Sequence, residues 1–318
     1  MSSQSSPSPS DKPVRLLDAR ESPRGGNRAF RRFLKHRGAV MGAFLLGFML
    51  IYVVLGSLLF TEADANYNDT RRRLQPPSTD HVMGTDNIGR DVFARTVYGG
   101  QISLLIGLMA VVVAVGIGTL FGVLSGYFGG WIDVLLMRLT EAMLSIPTLL
   151  FLLLVSNIFG GRVPQIQFFG RTFSGSVVVI IVIIGLTSWM SLSRIVRSLV
   201  LSLKETEFIL AARALGASDL RIIVSHVMPN IVAPVVVSAT LGVGNAILSE
   251  SYISFLGVGV GAPTATWGNI LEGARQFFEQ APWLWIFPGT LILMTVMGIN
   301  FLGDGLRDAL DPRSDKSV

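Results

Sequence analysis

The sequence predicts an all-α polytopic membrane protein with six transmembrane helices, and three observations carry that prediction. Half of the 318 residues are hydrophobic and only 15% are charged, the balance of a chain that lives in lipid. Six apolar runs, at residues 39–60, 102–125, 134–159, 176–193, 231–250 and 283–303, each approach the roughly 20 residues that a helix needs to cross a bilayer. Between the fourth and fifth runs, residues 204–229 are polar enough to stand in water and are themselves patterned as helix.

The N-terminal segment, residues 1–38, is basic. Its first 27 residues are rich in Ser and Pro and hold too little apolar surface to offset the entropy of ordering, so disorder is expected. Arg28, Arg31, Arg32, Lys35 and Arg37 then precede the first run, which is too long for a secretory signal core. It reads as an uncleaved first span with a cytoplasmic N-terminus. Six spans then leave 61–101 as an external loop and 102–303 as the transmembrane core, with the 204–229 loop and the tail 304–318 cytoplasmic. Of the 26 Lys and Arg residues, 18 fall on the side so assigned as inside and 8 outside, as the positive-inside rule requires. Arg71, Arg72 and Arg73 oppose the bias, offset by Glu62, Asp64, Asp69 and Asp80. The net charge of +5 sits largely ahead of the first span, which points to a membrane-proximal segment and away from nucleic acid.

Ahead of the second run stands GTDNIGRDVFARTVYGGQISLLIG, residues 84–107. Its two Gly-containing turns, and Arg95 one helical turn beyond Asp91, can form a charge-paired collar. Within and beyond that run Gly118, Gly122, Gly126 and Gly130 recur every four residues, a stripe that lets another helix approach closely. The third run opens with Asp133, Arg138 and Glu141 and contains Pro147, which is expected to bend it. Arg138 and Glu141 can pair at their spacing of three. Glu141 is then either half of a structural latch or a group facing the translocation path. Glu250, at the outer end of the fifth run, either faces that path or reaches water. In the sixth, Gly303 and Gly305 are expected to break the span, Asp304 and Asp308 bracket Arg307, and Pro312 is expected to end a short tail helix.

The 204–229 loop reads as two short helices. Glu205 and Glu207 lie in the opening turn, where the helix dipole favours negative charge, and Ala211, Ala212 and Ala214 favour helix. Gly216 is a left-handed stop, Ser218 or Asp219 is expected to cap a second helix through Leu220, Ile222, Ile223 and Val227, and Pro229 to close it. By itself this pattern also fits an ordinary amphipathic hairpin.

The pattern Ala211-Ala212-x-x-x-Gly216, followed by His226-x-Met228-Pro229, resembles the EAA loop of the membrane-spanning subunits of bacterial ABC importers. The glutamate expected before the two alanines is replaced by Leu210, and Glu207 three residues earlier can present a carboxylate on the same face. Residues 84–107, 250–269 and 300–313 (NFLGDGLRDALDPR) resemble, in the same order, segments of the dipeptide, oligopeptide and nickel branch of ABC importer permeases. The resemblance implies the type I ABC importer permease fold, in the bacterial plasma (inner) membrane. It makes 204–229 the coupling loop and assigns ATPase coupling to Glu207, Ala211, Ala212, Gly216, Asp219 and Pro229. It implies a homologous second permease subunit, two ATPase subunits that hold the ATP and Mg, and an extracytoplasmic substrate-binding protein. Di- and oligopeptides are the commonest cargo of the branch, which also carries nickel chelates and glutathione.

Nothing in the chain suggests chemistry of its own. It lacks a Gly-x-x-x-x-Gly-Lys-Ser/Thr phosphate loop, His-Glu-x-x-His and Gly-x-Ser-x-Gly, and it has no cysteine. His36, His81 and His226 lie in separate loops and read as surface residues rather than metal ligands. No catalytic, cofactor or metal site is expected. The competing class, an ATP-independent secondary transporter or channel, predicts inverted repeats and broken helices; neither is visible in the sequence.

Overall fold

The computed structural model describes residues 32–168 and 171–310. The segment expected to be disordered, Pro312 and Arg313 lie outside the described residues. Apart from one antiparallel hairpin, β1 (Ile166–Phe168) with β2 (Arg171–Phe173), the elements are helices. Five described helices are long and apolar enough to cross a membrane, and a sharply bent pair makes a sixth span.

Helix α1 (Arg37–Leu59) starts where the His36 ring accepts the Ala39 amide hydrogen. Helix α2 (Glu62–Asn66) begins in a capping box between Thr61 and Asp64, whose amide and hydroxyl donors hold the Asp64 carboxyl below its ordinary range. Helix α3 (Val92–Phe128) starts ten residues before the apolar run, because Asp91 caps it by accepting the Ala94 amide hydrogen. Most of residues 92–101 are buried, covered in part by Tyr52 and Val53 of α1 and by Trp267.

The most extensive packing joins α3 to α6 (Gly175–Lys204). Between helices in lipid there is little hydrophobic drive, so small residues that admit a close approach decide the contact. A Cβ on Gly118 would stand 2.9 Å from the Trp189 carbonyl, and one on Gly122 or Gly126 would meet Val196 or Val200 at 2.6 and 2.8 Å. Gly130 leaves this stripe. With Gly129 it forms an elbow at φ +55° and +67°, and it opens the next helix.

That next segment is broken rather than merely bent. Helices α4 (Gly130–Leu144) and α5 (Thr148–Phe159) meet at 84° across Ser145–Pro147, since a proline cannot donate the hydrogen bond that would continue α4. The sequence reading foresaw a bend here but no break. One break among the described residues does not make the matched pair of an inverted repeat.

Helix α7 (Glu207–Ala214) is followed by α8 (Asp219–Ile222), a wide π turn (Ile223–Val227) and α9 (Met228–Phe255). Pro229 does not close α8. The helical run continues unbroken from Asp219 to Phe255, and the wider π turn lies immediately ahead of the proline. Helix α10 (Trp267–Ala274) has a Thr266–Asn269 capping box. Helix α11 (Trp283–Leu310) runs unbroken through Gly303 and Gly305, contrary to expectation. Those glycines serve contact: Gly305 lies against Ala39 of α1, and a Cβ on Gly303 would stand 2.7 Å from Leu241. The lateral surface exposes Phe44, Leu58, Trp131 and Leu150, as a lipid-facing surface does.

Candidate functional site

At one end of the bundle, α7 and α8 present a surface that the other described residues leave uncovered. Ile209, fully buried, anchors α7 into a cluster with Val123, Tyr127, Val196 and Ile222. Helix α7 ends in a Schellman motif: the Gly216 amide donates to the Arg213 carbonyl at 3.0 Å and the Ala217 amide to the Ala212 carbonyl at 3.1 Å. Gly216 sits at φ +83° with open space around it, so conformation rather than room selects glycine. Ser218 makes no side-chain cap, and Asp219 is engaged elsewhere. Its Oδ1 accepts the Tyr127 hydroxyl hydrogen at 2.7 Å, tying the start of α8 to the end of α3. Arg213 stands 5.8 Å over the Tyr127 ring, and the Tyr127 hydroxyl beside it pushes its guanidinium further up.

Glu207 and Ala211 are exposed and Ala212 is half-buried. Around them Leu215 is 89% and Leu220 72% exposed, with Phe208, Leu210 and Val224 also open. Leu210, standing in place of a charge, adds to this apolar surface. Pro229 is exposed at the base of α9.

The two carboxylates singled out in the sequence lie in different settings. Glu141 pairs with Arg138 at 3.1 Å, both well exposed, and borders an open cavity of about 750 Å³ between α4 and α6. The pairing expected at a spacing of three is thus present, and Glu141 is open to the cavity as well. Beside that cavity Asp133 accepts two 2.6 Å bonds from Arg197 and one from the Ser125 hydroxyl, joining α3, α4 and α6. Glu250 reaches neither water nor a path within this chain. It is fully buried, accepting from Ser103 at 3.1 Å and Ser254 at 2.7 Å, and Ser103 also receives the Trp267 amide.

The opposite end is a closed cap. Asp86 Oδ1 accepts the amides of Ile88 and Arg90, and its Oδ2 accepts Arg90 Nε at 2.6 Å. Arg95 faces Asp86 rather than Asp91. Asp91 instead holds His81 at 2.7 Å, and His81 is largely buried, not a surface residue. The Trp267 indole, fully buried, donates to the Thr96 carbonyl, and the Trp283 indole to that of Thr85. Among the described residues no group of three or more His, Asp or Glu side chains is placed to hold a metal.

Tyr127 and the Asp133–Arg197 node escaped the sequence reading. A tyrosine at the end of an apolar run looks the same whether it anchors a loop or sits at a bilayer interface. Asp133 and Arg197 are 64 residues apart, beyond any local spacing rule.

Residues 118–316 match the family described as binding-protein-dependent transport system inner membrane component. Residues 26–77 match the N-terminal TM domain of oligopeptide transport permease C. The chain is 40% identical over 308 residues to the dipeptide transport system permease protein DppC of Alkalihalophilus pseudofirmus, covering 97% of this chain and 94% of that one. It is 39% identical over 289 residues to the oligopeptide transport system permease protein OppC of Haemophilus influenzae, covering 90% and 88%.

Proposed function

The chain belongs to the family of binding-protein-dependent transport system inner membrane components, and from that premise we propose that it is one of two homologous permease subunits of a peptide-importing ABC transporter. Di- and oligopeptides, handed over by an extracytoplasmic binding protein, pass between the two subunits across the inner membrane. Two separate ATPase subunits supply the ATP and Mg chemistry and grip the α7–α8 turn. Both termini and that turn lie in the cytoplasm. The chain performs no hydrolysis of its own.

The observation that carries this reading is the α7–α8 turn. Its C-terminal turn is closed by the Schellman bonds of Gly216 and Ala217, while Leu215, at 89% exposure, and Leu220 stand in the open. An apolar surface displayed on a rigid, water-facing turn is what a partner cleft buries. Motion enters there and reaches the spans through Tyr127 and Asp219, so that closure of the ATPase pair biases a two-state bundle. In the test, the tagged chain is purified from cells expressing its neighbouring transport genes, and uptake of radiolabelled Ala-Ala and a pentapeptide is measured with and without the chain. ATPase chains should copurify, and uptake should require both this chain and ATP. Peptide uptake by the chain in vesicles without any ATPase would refute the reading.

A further inference from the structure

At the capped end, the start of α3 and the 257–264 segment enclose a polar cavity of about 270 Å³, roughly nine water-sized volumes. Arg90 and Arg95 form one wall, and Gly261 and Thr264 stand on the other. Arg95 is only 4% exposed, yet it is poorly matched. Its nearest carboxylate oxygen, on Asp86, lies 3.8 Å from Nε, and its hydrogen bond to the Ala65 carbonyl spans 3.4 Å. Asp86 is committed elsewhere, to Arg90 at 2.6 Å and to two backbone amides. A guanidinium has five donors, and burying its charge without a close counter-ion is costly unless a ligand supplies one.

We infer that this cavity is a carboxylate-binding site anchored by Arg95. With two arginines set against the single carboxylate of Asp86, its inner wall carries an excess positive charge that a monoanion neutralises. Glu272 also borders the cavity but is exposed, where water and salt screen it. The single excess charge suits a monoanion better than a dianionic phosphate, and the planar guanidinium fork matches the two oxygens of a carboxylate. Such a carboxylate comes either from the C-terminus of a small peptide or from an acidic side chain of a protein docked on this end. The site stands on its own geometry, whatever the transporter's cargo.

Calorimetric titration of the full-length chain in lipid nanodiscs separates the sources. The probes are Ala-Ala against Ala-Ala amide, and N-acetyl-Asp amide against N-acetyl-Asn amide. At least one carboxylate probe should bind about tenfold or more tighter than its neutral counterpart, as loss of a charge-assisted hydrogen bond implies. Preference confined to Ala-Ala assigns the site to a peptide terminus, and preference confined to N-acetyl-Asp amide assigns it to a protein side chain. Arg95→Lys should weaken binding by removing the fork. Because Arg95 is buried, Gly261→Val is the second variant: Gly261 lines the cavity and a Cβ there meets nothing nearer than Ser176 Oγ at 3.9 Å, so the chain folds while the wall of the cavity gains bulk. It should abolish the preference. No carboxylate preference in the native chain, or one unaltered by Gly261→Val, overturns the inference.

Discussion

The two ends of the bundle solve opposite problems. At the capped end nearly every polar group is answered from within the chain: Thr85, Thr264 and Thr266 are fully buried, and Trp267 has both its indole and its amide bonded. At the α7–α8 end the Schellman bonds fix the turn, but the side chains facing outward include the large apolar groups of Leu215, Leu220 and Phe208. One end is closed by its own side chains, save for the cavity beside Arg95, and the other leaves an apolar surface open. The lesson is that rigidity and completeness are separable: a turn can be fixed in shape while its surface is left for another molecule to cover.

That contrast can be broken or sharpened by substitution, starting where the loss of stability is greatest. Trp267→Ala should cost about 3–5 kcal/mol, the range for removing a large buried aromatic, and should sharply lower membrane abundance and the thermal unfolding midpoint in detergent. Retention of native stability would show the cap to be less solid than its hydrogen bonds imply. Gly216→Val should strain the left-handed turn by about 1–2 kcal/mol while the spans still insert, so abundance stays near normal as uptake and ATPase association fall together. Normal uptake at equal expression would remove this turn from the coupling mechanism. For Tyr127→Phe the expectation is about 1 kcal/mol, the worth of one hydrogen bond, with amide exchange in α7 and α8 speeding up while that in α11 stays unchanged. The smallest stability change belongs to Leu215→Asp, within about 0.5 kcal/mol because the side chain is in the open. Its effect should appear only in copurification of ATPase subunits, which a charge in an apolar cleft abolishes.

The spans were legible because lipid imposes a demand that hydropathy reports directly. Their ends were not. Val92 to Gln101 form helix because Asp91 caps them, and Tyr52, Val53 and Trp267, all distant in sequence, cover them. Gly303 and Gly305 read as breakers because a glycine in a helix costs about 1 kcal/mol, but their contacts with Leu241 and Ala39 come from other helices. Pro229 was misread for a related reason, since a π turn is a response to packing and carries no sequence mark of its own. At the candidate docking turn the reverse held. The left-handed Gly216 follows from local helix chemistry, so its geometry was foreseen, whereas the tether from Tyr127 to Asp219 spans 92 residues and was not. Glu250 was open between path and water because its serine and Trp267 neighbours depend on how the helices pack.

The glycine seam between α3 and α6 turns two helices into a single mechanical member. Helix α3 has 37 residues and is therefore about 55 Å long, well beyond the ~30 Å hydrocarbon core. Because Gly118, Gly122 and Gly126 let its backbone rest on α6 over three successive turns, the pair resists bending as a doubled beam does. A tilt of about 6° at the Tyr127 end of a straight rod of that length corresponds to roughly 5 Å at the Val92 end. The two ends of such a member, one beyond each face of the hydrocarbon core, are placed by the same seam.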